Sequence, residues 1–334
     1  MTMNATEQTP LRIVFMGTPD FAATVLRHVA AWKSGNVVAA YCQPDRPAGR
    51  GHKLQPPAVK VLAQELGIPV RQPLNFKDSK DRDELAAFNP DVLVVAAYGL
   101  ILPQEVLDIP RIGPFNVHGS LLPLYRGAAP IQRAIMDGNK LTGITIMRME
   151  RGLDSGPMLA QRATGIGLTD TAATMHDELA DLGGRLMVDV LEKIVGGDPT
   201  TPILQDESRV TYAPKLTKAD GHIDWARPVS QIHAQIRGVT PWPGAQSLFL
   251  LPEREPLAVL LQPGEMGNPL SGQEPGTLLG LRNGKLVVAC ADAEYLLSTL
   301  KPAGSRPMSA EAFWNGYIRD KGTGKAISPT AGQK

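Results

Sequence analysis

Along the first half of the chain, apolar residues recur alternately in short continuous runs and at helical spacing, which predicts strands and helices in turn. Residues 11–17 form an apolar run ending in glycine, and Phe21, Val25, Leu26 and Val29 follow at helical spacing, so a strand, a turn and a helix are expected. Residues 37–41 repeat the strand signal, 59–66 the helical one, and 83–88 predict a further helix. Residues 92–97 are an unbroken Val, Leu and Ala run, as expected of a strand covered on both faces. The alternation predicts an α/β fold with a doubly wound, mostly parallel sheet, a variant of the Rossmann arrangement. Ligands of such sheets bind beyond the carboxyl ends of the strands. Gly17, residues 98–103 and residues 116–123 all fall just after predicted strands, so three segments converge on one edge.

Farther on, Asp170 or Thr171 can cap a long helix whose Leu179, Leu182, Leu186, Val190 and Ile194 form an apolar stripe. Gly196-Gly197-Asp198-Pro199 stops it, and the polar, turn-rich stretch that follows has the texture of a connection. The expected organisation is therefore a first domain over 1–197, a linker over 198–216 and a second domain over 217–334. There the pattern changes to short β-like runs at 245–251, 257–261, 276–281 and 286–291, separated by Gly and Pro, which favours a small β-barrel. Asn283-Gly284 predicts a hairpin turn, since both residues tolerate positive φ. A last helix is expected from a Ser309 cap through Phe313 and Tyr317.

A length of 334 residues supports two domains, and a net charge of +1 supplies no global field for a polyanion. Any nucleic acid must then be held by local clusters. Two cysteines, Cys42 and Cys290, lie far apart, and His28, His52, His118, His176, His222 and His233 include no ligand pair at helical spacing, so no metal is expected. The polar start has no apolar core of a secretory signal, and the longest apolar run, 92–102, is too short to span a bilayer. A cytoplasmic protein without a membrane association is the expectation.

Candidate chemistry concentrates in Asn116-Val117-His118-Gly119-Ser120-Leu121-Leu122-Pro123, which sets an amide and an imidazole at i and i+2. In an extended segment such side chains share a face, so Asn116 and His118 can address one substrate atom while Val117 packs the other way. Polar residues at a strand end often only satisfy backbone groups. Here a carboxylate, Asp154, follows downstream between Gly152 and Gly156, which permit a tight loop. Amide, imidazole and carboxylate together can stabilise an oxyanion and move protons. Asn116, His118 and Asp154 are the candidate catalytic set. Residues 43–54 form a loop too long for an ordinary strand-to-helix connection, with Arg46, Arg50 and Lys53 against Asp45, and its place beside this edge favours a phosphate-bearing substrate over a merely solvated loop. Gly17-Thr18-Pro19-Asp20 lacks the G-x-G-x-x-G spacing of a dinucleotide site, and Pro19 suits the first turn of a helix.

Taken together, these segments resemble the methionyl-tRNA formyltransferase family. The resemblance runs from residues 15–21 through 43–53, 97–103, 116–130 and 152–156 to Pro241-Trp242-Pro243-Gly244 and Lys301-Pro302-Ala303-Gly304. Asn-x-His with a later Asp is shared by folate-dependent formyltransferases generally, whereas Asp45-Arg46-Pro47-Ala48-Gly49-Arg50-Gly51 resembles the insertion that the tRNA-modifying branch sets against the acceptor stem. It implies a formyltransferase-like first domain and an oligonucleotide-binding (OB-like) barrel. The implied reaction transfers a formyl group from 10-formyltetrahydrofolate to the α-amine of initiator methionyl-tRNA, with no metal and no obligate protein partner. His118 and Asn116 would hydrogen-bond the oxyanion; Asp154 would pair with His118 or relay protons through water, and sequence does not choose between these roles. The folate would lie against Leu100, Leu102, Ser120, Leu121, Leu122, Pro123, Arg151, Gly152 and Leu153. The tRNA would meet Arg46, Arg50, Lys53, Lys215, Lys218, Arg237, Lys285 and Lys301. Where many relatives carry a basic residue after Leu-Leu-Pro, this chain has Leu124, which weakens a phosphate contact there and leaves the catalytic positions untouched.

Three rivals share parts of this pattern. A formyltransferase with a small acceptor, such as an amino sugar nucleotide, needs neither the basic loop nor the second domain. A formyltetrahydrofolate hydrolase would use water as nucleophile with the same oxyanion. A non-catalytic RNA-binding protein would not need the intact set of Asn116, His118 and Asp154.

Overall fold

The computed structural model describes residues 9–48, 53–198, 201–252, 254–319 and 324–329. They form two compact units. The first takes the chain up to Gly127 together with Thr142–Thr164 and His176–Tyr212, and the second takes Ala128–Leu141, Gly165–Met175 and the chain from Ala213 onward. Each unit is thus made of more than one stretch of the chain.

Among the described residues, the main sheet of the first unit has seven strands: β1 Leu11–Gly17, β2 Gly35–Tyr41, β3 Val70–Arg71, β4 Val92–Ala96, β5 Gly113–His118, β6 Leu141–Arg148 and β7 Met158–Gly165. Their order in the sheet is β7-β6-β5-β4-β1-β2-β3. The run from β3 to β5 is parallel, and β6 returns antiparallel to β5. Every residue of β4 is buried, as its unbroken apolar pattern requires of a central strand. Helices cover the faces: α1 Asp20–Ala31, α2 Ala58–Glu65 and α3 Ser79–Ala87, the last capped by the Asp78 carboxylate on the Lys80 N–H. The long helix α4 Ala172–Val195 starts one residue after Thr171, whose hydroxyl accepts from the Thr174 N–H at 3.2 Å. Its Gly183 leaves space that Val117 Cγ1 fills; a Cβ there would stand 2.7 Å from it. Val117 thus packs under the helix, and the alternation of the strand turns Asn116 and His118 to the opposite face. Gly17 is tight for a packing reason, since a Cβ would collide with Ala22 and the Ala96 carbonyl.

In the second unit, nine strands among the described residues form two antiparallel sheets. They are β8 Ala245–Leu250, β9 Leu257–Leu261, β10 Glu265–Pro269, β11 Leu278–Arg282, β12 Lys285–Ala289, β13 Ala293–Leu297, β14 Thr299–Pro302, β15 Met308–Ser309 and β16 Lys325–Ile327. One sheet runs β15-β14-β9-β8-β16 and the other β10-β13-β12-β11. One core of Trp225, Phe249, Tyr295, Phe313 and their aliphatic neighbours lies within this unit. Asn283 and Gly284 adopt φ of +49° and +76° between β11 and β12, the conformation a two-residue hairpin needs. Ser309 caps the helix Ala310–Tyr317 through the Ala312 N–H at 3.1 Å.

Among the described residues no helix is long and apolar enough to cross a membrane, and no cluster of His, Cys, Asp and Glu is placed to hold a metal ion.

Candidate active site

At the carboxyl end of β5, Asn116 is half-buried and His118 is 5% exposed. His118 Nε2 lies 3.0 Å from the Tyr125 carbonyl oxygen. A carbonyl only accepts, so Nε2 carries the hydrogen and donates. The other ring nitrogen, Nδ1, faces Asp154 Oδ2 at 3.7 Å. That separation is too long for a direct hydrogen bond and lets both groups reach one proton-bearing atom lying beside them. Asp154 Oδ2 also accepts the Gly127 N–H at 2.8 Å, which fixes the carboxylate without consuming its other oxygen.

Backbone conformation is unusual at the same place. Tyr125 and Asp154, the two residues that face the ring nitrogens of His118, have φ of +61° and +50°. Left-handed backbone at a non-glycine residue costs about 1–3 kcal/mol and persists only when its surroundings over-determine it. Here they do. The Tyr125 N–H donates to Thr211 Oγ1 at 2.8 Å, and the Arg126 N–H donates to the Thr211 carbonyl at 2.9 Å. The Asp154 carbonyl accepts from Gln205 Nε2 at 2.8 Å. The loop between His118 and Tyr125 is pinned as well: Thr145 Oγ1 donates to the Ser120 carbonyl at 2.7 Å and accepts the Leu122 N–H at 3.0 Å. Gln161 Nε2 donates to the Leu122 carbonyl at 2.8 Å.

Thus Asn116, His118 and Asp154 come together on one edge. Thr145, Gln161, Arg126, Gln205 and the backbone of Tyr125 and Gly127 complete the corner, and sequence reasoning missed all of these roles. For most of them no local signal exists, because the partners are distant in sequence.

The residues expected to line a folate site divide. Leu153 is 60% exposed, Arg151 and Gly152 are exposed, and Leu100 and Leu121 are half-buried, so these face or border the edge. Four are corrected. Leu102 is buried in the core with Tyr98, Val106 and Leu107. Ser120 is fully buried and spends its hydroxyl on the Leu124 carbonyl at 2.6 Å, and Leu122 and Pro123 are buried beside it. These side chains serve packing and loop closure, as apolar or small residues after a strand ordinarily do.

The basic loop is anchored at its base. Gln43 donates from Nε2 to the Tyr98 carbonyl at 3.2 Å, and Asp45 pairs with Lys60 at 2.8 Å and accepts from Gln72 at 2.8 Å. Those hydrogen bonds from Lys60 and then Gln72 hold the Asp45 carboxyl below its ordinary range. Arg46–Ala48 and Lys53–Gln55 pair as a short antiparallel hairpin, with Arg46 exposed and hydrogen-bonded to Gln43. Arg50 lies outside the described residues, as does the side chain of Lys53.

In the second unit Lys215, Lys218 and Lys301 are exposed, and Lys285 pairs with Glu265 at 2.5 Å. Arg237 is a correction. It is 5% exposed, and its guanidinium donates to the Gly167 and Asp170 carbonyls at 3.0 and 2.8 Å. Its place among Ile232, His233 and Ile236 on a helix buried nearly all round gives it a structural task.

Neither cysteine is a nucleophile. Burial pushes the Cys42 thiol up to about 11 and the Cys290 thiol up to about 12.

Known protein families match both parts of the chain. Residues 11–191 match the formyl transferase family, and residues 215–318 match the formyl transferase C-terminal domain family. The methionyl-tRNA formyltransferase of Nitratidesulfovibrio vulgaris (strain DP4) is 55% identical over 93% of this chain and 94% of its own length. That of Desulfovibrio desulfuricans is 49% identical over 92% of this chain and 93% of its own. Among solved structures, an N-formyltransferase from Helicobacter canadensis in complex with folinic acid and dTDP-3-aminofucose superposes with a TM-score of 0.63 at 15% identity, over 89% of this chain and all (100%) of that one. HypX from Aquifex aeolicus in complex with tetrahydrofolic acid gives 0.60 at 17% identity over 93% of this chain, which spans 48% of that longer protein. At such identities the two structures bear on the fold alone.

Proposed function

The chain belongs to the formyl transferase family, and from that premise we propose that it formylates the α-amine of initiator methionyl-tRNA with 10-formyltetrahydrofolate as donor, in the cytoplasm. The single observation that carries the chemistry is the approach of His118 Nδ1 to the Asp154 carboxylate, 3.7 Å apart, at the end of the strand that also carries the half-buried Asn116.

The substrate amine is itself the nucleophile, which agrees with two thiols held protonated by burial. Its attack on the formyl carbon forms a tetrahedral oxyanion. The Asn116 amide is the group to donate to that oxygen; one such donor contributes about 3 kcal/mol to barrier lowering. With Nε2–H committed to Tyr125, the working atom of His118 is Nδ1. Unprotonated, Nδ1 takes a proton from the incoming nitrogen; protonated, it donates to the oxyanion or returns the proton to the departing folate nitrogen. Asp154 faces that nitrogen and offsets the charge of the imidazolium.

For the folate, Leu100, Leu121 and Leu153 offer apolar contact to the faces of the pterin, and the backbone of the exposed loop Arg151 to Leu153 offers hydrogen bonds to its polar edge. For the tRNA, Arg46, Arg50 and Lys53 of the basic stretch, and Lys215, Lys218, Lys285 and Lys301 in the second unit, offer positive charge to phosphates. Leu124 offers none. Replacing Arg50 should weaken use of charged tRNA far more than use of a minimal amine; equal loss with both would remove the loop from RNA recognition.

The deciding experiment is formyl transfer from 10-formyltetrahydrofolate to methionyl-tRNA, uncharged tRNA and small amines in parallel, with a sample lacking any acceptor. Formylation confined to methionyl-tRNA is expected. Equal use of a small amine, or formate release without an acceptor, would replace the reading by a small-acceptor transferase or a hydrolase.

A further inference from the structure

Gln205 lies in the stretch that sequence alone marks as a connection, yet it is 9% exposed and its amide is fully engaged. Nε2 donates to the Asp154 and Gly156 carbonyls, both at 2.8 Å. Oε1 accepts from Arg126 Nε at 3.0 Å and Nη2 at 2.8 Å. Arg126 is 3% exposed, and Glu207 closes its fork at 2.7 and 3.3 Å. The neighbours of Arg126 in sequence are the residues that hold His118 and Asp154: the Tyr125 carbonyl accepts from the imidazole, and the Gly127 N–H donates to the carboxylate.

One network therefore grips both sides of the site. From the loop side, Gln205 holds the carbonyl of a left-handed residue, Asp154, and that of the glycine two positions on. From the strand side, Arg126 ties the Tyr125–Gly127 backbone to the same amide. The imidazole Nδ1 and the carboxylate lie 3.7 Å apart, near enough to pair electrostatically and to meet one substrate nitrogen beside them, so a small loss of register disables the pair.

We propose that Gln205, braced by Arg126, is a positioning residue for formyl transfer: it sets the backbone of Asp154 so that the carboxylate faces His118 Nδ1. This rests on the role assigned to Asp154 above. Gln205 touches no reacting atom; its work is to convert a strained loop into a fixed carboxylate. Glu207, exposed at its outer end, neutralises Arg126 from the solvent side.

Two variants test it beside Asp154→Asn. Gln205→Glu keeps size and the acceptor for Arg126 but turns an oxygen instead of an N–H toward the two carbonyls; Gln205→Ala removes both hydrogen bonds. In single-turnover formylation the expected result for each is a rate lower by about 10²-fold, with half-saturating concentrations of methionyl-tRNA and folate changed by less than about threefold. The ¹⁵N resonances of the His118 ring, assigned by their absence in His118→Ala, should shift in both variants. Should Gln205→Ala lose its cooperative melting transition, Gln205→Glu decides. Normal rates per folded molecule in the Gln205 variants, with a slow Asp154→Asn, overturn the positioning role, because a merely structural residue lowers only the folded fraction. A normal rate in Asp154→Asn overturns the functional reading itself and takes the positioning role with it.

Discussion

The corner around His118 and the lysines of the second unit treat charge in opposite ways. In the corner, buried polar groups are aimed at one another across long sequence separations: His118 at Tyr125, Asp154 at Gly127, Gln205 at Asp154, Gly156 and Arg126. Lys215, Lys218 and Lys301 stand in water instead, and Lys285 keeps only a short surface pair. The contrast reflects what each must do. Proton transfer depends on sub-ångström placement, so its groups are over-determined. Attraction of a polyanion depends on charge and little on geometry, so its groups need only be exposed.

Removing a member of the corner should therefore have the largest effect. His118→Ala is expected to slow formyl transfer by about 10³-fold while methionyl-tRNA binding stays nearly intact, measured by rapid-quench formylation beside a filter-binding titration. Parallel loss of rate and affinity would instead make His118 a structural residue. A smaller effect with a different signature is expected from the paired change Lys218→Gln and Lys301→Gln. Affinity for tRNA should fall, and the slope of log affinity against log salt should become shallower by about one for each phosphate no longer neutralised. The rate at saturating tRNA should not change. An unaltered salt slope would take these lysines out of the interface.

The smallest expected effect concerns pH. His233 in the second unit is buried, with Nε2 on the Leu168 carbonyl at 2.7 Å and Nδ1 on the Tyr295 hydroxyl at 3.2 Å. Burial lowers its proton affinity below the ordinary value of 6.5, an effect only partly offset by the Leu168 carbonyl. The neighbouring cation Arg237 lowers it further, and the helix places no carboxylate against the ring. Below pH 6.5 the unfolded chain then binds a proton that the folded one resists, so stability should drop as pH falls through that value. His233→Gln should narrow the difference in melting temperature between pH 7.5 and pH 5.5, both about one unit from that midpoint. An undiminished difference would place the acid sensitivity elsewhere.

Elements set by local pattern were legible in the sequence. The central strand 92–96, the Thr171 cap and the Asn283-Gly284 hairpin depend on residues within a few positions of one another, and each formed where its pattern predicts. Strands 141–148 and 158–165 were not. The first mixes glycine and threonine into its apolar run, and the second lies at the sheet edge with apolar and polar residues in blocks, all partly or fully exposed, so neither shows a clean period. The site divides in the same manner. Asn116 and His118 share a face by strand geometry alone, whereas nothing near Gln205 announces that folding carries it to Asp154 and Arg126. Arg237 misleads for the converse reason: a cation suggests a surface, and only the carbonyls of Gly167 and Asp170, brought in by the fold, explain its burial.

The account turns on Asp154 and His118 Nδ1 acting together on the attacking amine. Single-turnover formylation of methionyl-tRNA by Asp154→Asn tests this most directly, since the change preserves shape and the bond from Gly127 while removing the charge. The account predicts a rate lower by at least about 10²-fold with tRNA affinity unchanged. A rate equal to that of the unaltered protein would contradict it.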